Sequence, residues 1–121
     1  MEREIIRKII IEGQEFVNEI PLIKRPFFFE KNGNYVFVGI RQAGKSYLQY
    51  QRIQQLIEEG HSIEEMLYIN FDDERLRQFT THDFDLIRQA YASMFNLRPI
   101  LFFDEIQNIE GWENFARRLA N

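Results

Sequence analysis

The chain has 121 residues, 45% hydrophobic and 15% aromatic, which is enough apolar material for one domain with a real core and far too much for a disordered tail. It contains no cysteine, which excludes a disulfide framework and a thiolate metal centre, and its formal charge of −4 argues against a surface built to neutralise nucleic-acid backbone. No apolar run approaches the roughly 18 residues of a membrane span, and Met1-Glu2-Arg3-Glu4 lacks the basic start of a secretory signal, so the expected location is cytoplasmic.

Ile5, Ile6, Ile9, Ile10, Phe16, Val17 and Ile20 recur at near-helical spacing, so residues 3–19 are predicted as an amphipathic helix, weakened at Gly13 and stopped by Pro21. Residues 21–34, with Pro26, Phe27-Phe28-Phe29 and the turn formers Asn32-Gly33-Asn34, read as an extended connector. Tyr35-Val36-Phe37-Val38 is apolar throughout, as a parallel strand covered on both faces must be. A helix is expected over 45–59, with Gly60 as its stop, and a second buried strand over Met66 to Phe71. Thr81 is the expected cap of the next helix, whose Asp83 and Asp85 lie at its positive end while Phe84, Ile87, Tyr91 and Met94 share a face. Pro99 opens a third strand, Ile100-Leu101-Phe102-Phe103, and Trp112, Phe115, Ala116 and Leu119 mark a last helix.

Strands alternating with helices predict a parallel α/β fold in three layers, α/β/α. The organisation read from the sequence is a helix over 1–20, a connector over 21–34, and the N-terminal part of an α/β domain over 35–121. In such sheets ligands bind beyond the carboxyl ends of the strands.

That edge carries the chemistry. Gly39-Ile40-Arg41-Gln42-Ala43-Gly44-Lys45-Ser46 fits G-x-x-x-x-G-K-[ST] at every defined position, between a strand and a helix. Gly39 and Gly44 allow successive N–H groups to turn inward around an anion, and the following helix points its positive end at the same spot. Lys45 is expected on the β- and γ-phosphates, Ser46 on Mg²⁺, and the loop from Gly39 to Tyr47 around the nucleotide. An apolar strand ending in Asp104 supplies the acidic partner that the metal needs. Glu105, one residue on, suits the general base that activates water. Asp104 capping a loop and a solvated Glu105 are the plainer readings.

These segments resemble a known family. GIRQAGKS, YINFDDERL, ILFFDE and IQNIEGWENFARRL together resemble the bacterial and archaeal AAA+-like P-loop ATPases of the AAA_14 type, from about Pro21 to Asn121. The resemblance implies a Walker A loop at Gly39 to Ser46, a Walker B strand at Ile100 to Glu105, and a turn at Gly111-Trp112. It also implies ATP rather than GTP, a homo-oligomer, and a DNA or protein client contacted by a C-terminal part. Family members continue through a sensor strand, a lid and arginines that act on a neighbouring subunit, so the chain is expected to be an N-terminal fragment, truncated before that strand. The family order sets the sensor strand between those of Walker A and Walker B. With strands about 4.8 Å apart, its removal would leave a slot of about 10 Å. A segment in that state is expected to be unstable, swapped, or closed in another strand order, with little turnover of its own.

The function that follows is binding of Mg-ATP and, in the full-length protein, its hydrolysis. The alternative is a nucleotide-gated DNA- or protein-binding module with slow or no hydrolysis. A small-molecule phosphotransferase is disfavoured, because an acid directly after the Walker B aspartate suits activation of water. Arg41 on phosphate, Asp72-Asp73-Glu74 as further acids near the metal, adenine stacking on Phe27 to Phe29, and Arg117 and Arg118 toward a partner are weaker readings. Each is set against an ordinary solvated or packing role. His61 and His82 read as surface residues without metal-pair spacing.

Overall fold

The computed structural model describes residues 2–19, 35–37 and 45–120, with backbone only at 35–37, 45–47, 116, 119 and 120. In chain order the main elements are α1 (Arg3–Glu19), β1 (Tyr35–Phe37), α2 (Lys45–Glu58), β2 (Met66–Asn70), α3 (Phe84–Met94), β3 (Ile100–Asp104) and α4 (Trp112–Ala120). The strands form a small parallel sheet in the order β1-β3-β2. This mixture of helices with a parallel sheet is compatible with a P-loop-like α/β fold.

Strand alternation sorts the core into two clusters. Leu67, Ile69, Leu101 and Phe103 join Ile6, Ile9 and Ile10 of α1, Phe84, Ile87 and Tyr91 of α3, and Phe115 of α4. Met66, Tyr68 and Phe102 point the other way, onto Tyr50, Ile53 and Leu56 of α2 and Val17 of α1. Central β3 is buried on both faces, which explains why its sequence is a continuous apolar run rather than an alternating one.

One expectation left open is settled and three are corrected. The sheet has no slot between β1 and β3: Tyr35 lies opposite Phe102, Val36 opposite Phe103 and Phe37 opposite Asp104. Direct pairing satisfies rows of N–H and C=O groups that a 10 Å gap would leave without partners, at a cost for each. Of the outcomes foreseen for a missing strand, the described residues adopt the closed order, against the intervening strand of the family pattern.

Gly13 does not interrupt the first helix, which runs unbroken from Arg3 to Glu19. It is instead a point of close approach, since a Cβ there would sit 2.8 Å from the Tyr68 carbonyl oxygen. Next to it, buried Gln14 donates through Nε2 to the carbonyls of Met66 (3.0 Å) and Glu64 (3.4 Å). The helix thus lies along β2 and covers an edge of the described sheet, which leaves fewer bare backbone groups for another chain to pair with. Phe16, assigned from its spacing to the apolar face, is 49% exposed and meets the Tyr50 ring edge-on.

Thr81 does not cap α3: Asp83 holds the cap position of the helix, and Thr80 caps the turn before it. A single 3₁₀ turn over Thr81–Asp83 precedes the helix, and the Asp83 carboxylate accepts from the Thr80 N–H (2.9 Å) and hydroxyl (3.2 Å). Thr81 instead donates to the Glu110 carbonyl at 3.3 Å, pinning the turn at Gly111, whose φ of 83° requires glycine-like freedom.

Candidate functional site

The three strands finish level with one another, because Phe37 of β1 and Asn70 of β2 both lie opposite Asp104 at the end of β3. Helix α2 starts at Lys45, so Lys45, Ser46 and Tyr47 form its first turn. The rest of the predicted phosphate loop, Gly39, Ile40, Arg41, Gln42, Ala43 and Gly44, lies outside the described residues, as do Phe27 to Phe29.

Asp104 is fully buried. It shares the α2-facing side of the sheet with Phe102 and Tyr68, and its Oδ2 accepts from the Tyr68 hydroxyl at 3.3 Å, long for an O–H···O bond. The Tyr68 hydroxyl also lies 3.1 Å from that of Tyr50 on α2. A hydroxyl has one proton, so with that of Tyr68 directed to Asp104, Tyr50 donates to Tyr68. Burial above all, with the Asp104 charge beside it, pushes the Tyr68 phenol far above its ordinary range, which keeps it a donor. One turn from Ser46, buried Gln49 donates to the Phe103 carbonyl at 3.3 Å and ties α2 to β3 directly before the aspartate.

Glu105 is 5% exposed and adopts φ 57°, ψ 33°, the left-handed region. Among the described residues it is the one non-glycine with positive φ, a conformation costing about 1 kcal/mol or more and concentrated at functional sites. It opens a 3₁₀ turn over Ile106–Asn108, and Gln107 donates to its Oε2 at 2.6 Å. The acid therefore points along a path fixed by the main chain and is held by its own turn.

The other acids fall away from this group. Asp73 caps a 3₁₀ turn by accepting from the Arg75 N–H at 2.9 Å and pairs with the Arg75 guanidinium at 2.7 Å. That hydrogen-bonded partner holds the Asp73 carboxyl below its usual range. Arg75 also bridges to Glu12 of α1 at 2.8 Å. Asp72 and Glu74 are exposed. His61 pairs with Glu65 at 2.9 Å, and His82 is exposed. Arg118 lies over the Phe115 ring, and Arg117 is exposed. Among the described residues no cluster of His, Cys, Asp and Glu suited to a metal occurs.

Residues 31–121 match the family model described as AAA domain, AAA_14. The chain belongs to the AAA_14 family of AAA domains. That family is one of nucleotide-binding, ATPase-like proteins. An uncharacterized protein of Methanocaldococcus jannaschii, MJ1544, is 31% identical over 95% of this chain and 25% of its own length. An uncharacterized protein of Haemophilus influenzae is 26% identical over 93% of this chain and 27% of its own length. The chain thus spans about a quarter of the curated relatives it matches. No solved structure matches it. No helix among the described residues is long and apolar enough to cross a membrane.

The sequence reading missed Tyr50, Tyr68, Gln49 and Gln107. Tyr68 had a signal: it is the polar-tipped member of an otherwise apolar run, in phase with Met66 and one strand away from the aspartate.

Proposed function

We propose that this AAA domain binds Mg-ATP and, in the full-length protein, hydrolyses it. The observation that supports this reading is a buried aspartate at the end of the central strand, opposite the last residue of β1, which the sequence follows, after Val38, with GIRQAGKS and the first turn of α2. Asp104 and Ser46 offer hard oxygen donors, which fit Mg²⁺ better than a softer metal. In this reading Gly39 to Tyr47 enclose the phosphates, Lys45 neutralises their charge, and Asp104 and Ser46 hold the metal, which screens the phosphate oxygens. Glu105 takes the proton of the attacking water. The proposal includes a three-layer α/β/α domain of which 35–121 is the N-terminal part, reached through the 21–34 connector, a cytoplasmic location, and a homo-oligomer with a DNA or protein client.

Phosphate release by the full-length protein tests the hydrolytic part. Glu105→Gln should lower the rate by about a hundredfold, the lower end of general-base contributions, and equal rates would remove the role given to Glu105. One observation favours a second reading, a nucleotide-gated binding module with slow hydrolysis: Glu105 is buried and hydrogen-bonded by Gln107 rather than turned to solvent. In that case turnover stays low in both forms, while binding of DNA or protein differs between ATP and ADP.

A further inference from the structure

Beside the buried Gln49, the α2-facing side sets two hydroxyls among apolar side chains. Val17, Ile53, Leu56, Met66 and Phe102 surround Tyr50 and Tyr68, whose hydroxyls meet each other and then Asp104. Burying two hydroxyls beside a carboxylate costs free energy that phenylalanine at either position would avoid, and mutual hydrogen bonding offsets that cost. The register explains how they meet. Tyr68 is directly opposite Phe102, so its hydroxyl reaches diagonally, two residues along β3, to the aspartate. Tyr50 sits on α2, one helical turn beyond Ser46, so the chain of hydroxyls joins α2 to the strand that ends in Asp104.

We propose that Tyr68, backed by Tyr50, is a positioning residue that orients the Asp104 carboxylate for a divalent cation and ties its place to that of α2. The inference rests on the Mg-nucleotide reading above. A donor on Oδ2 restricts rotation of the carboxylate, so less ordering remains to be done when a cation arrives. Outer partners of metal-ligating carboxylates act in this way, and their loss weakens metal binding.

The test is calorimetric titration of ATP into the full-length protein across a Mg²⁺ series and in EDTA, for the wild type, Tyr68→Phe and Tyr50→Phe, with the thermal midpoint recorded for each. Tyr68→Phe should raise the Mg²⁺ concentration for half-maximal tightening by about tenfold, and Tyr50→Phe by less, while metal-free ATP affinity stays within about twofold. An unchanged Mg²⁺ series in Tyr68→Phe overturns the inference. So does an equal loss with and without metal, which marks a purely structural role. If the wild type binds no ATP at any Mg²⁺ concentration, the nucleotide reading itself is withdrawn, and this inference with it.

Discussion

The two faces of the sheet are built from the same strands and do different work. On the side of α3 and α4 the core is a nest of rings: Phe84 stacks on Phe115 at 4.0 Å and meets Phe71 and Phe79 edge-on, and Phe103 packs between Phe71 and Phe115. On the side of α2 two of the rings carry hydroxyls: that of Tyr50 meets that of Tyr68, Tyr68 donates to Asp104, and Gln49 donates to the Phe103 carbonyl. The first face is expected to supply stability without specifying chemistry. The second gives up apolar burial to fix where a carboxylate points. A substitution should therefore reveal its face by whether it moves the unfolding midpoint or the metal response.

The largest break in that comparison should come from Phe84→Ala. Removing a fully buried ring from the centre of the aromatic nest should cost about 3–5 kcal/mol in urea unfolding. Gly13→Ala comes next. Helix propensity alone would favour it by about 1 kcal/mol, but its Cβ would press on the Tyr68 carbonyl at 2.8 Å, so net destabilisation of about 1–3 kcal/mol is expected by the same measurement. Tyr68→Phe should cost only about 1 kcal/mol of stability while moving the Mg²⁺ series, the signature of the α2-facing side.

The smallest effect belongs to neither face. Asp73 has a lowered pKa in the folded state, so its contribution is present above the ordinary value of 3.8 and lost as pH falls through the folded one. Because the pair with Arg75 is partly exposed, the effect should stay below about 1 kcal/mol. Arg75→Ala should flatten the acid limb of stability between pH 5 and pH 2 in unfolding measured across that range.

Periodicity carried most of the element reading. Residues 3–19 and Ile100 to Asp104 were legible because helix spacing and an unbroken apolar run are local signals. So was the placement of Asp104 and Glu105 at a carboxyl end, though not the roles proposed for them. What sequence could not show depends on neighbours. A glycine within a helix looks like a defect until a strand carbonyl lies against it. Whether two parallel strands touch is decided by backbone partners far apart in sequence, which is why the closed β1–β3 ladder was only one of several outcomes before the structure. A tyrosine in an apolar strand reads as packing until its hydroxyl has an address.

Because β3 is paired on both sides, its peptide groups should be among the slowest to take up deuterium, with β1, paired to it, opening first. Asp104 is thus mounted at the tip of the strand that, among the described residues, is paired on both sides. Small rearrangements on the α2 side would then be felt at the acid as a change of aim rather than a change of place.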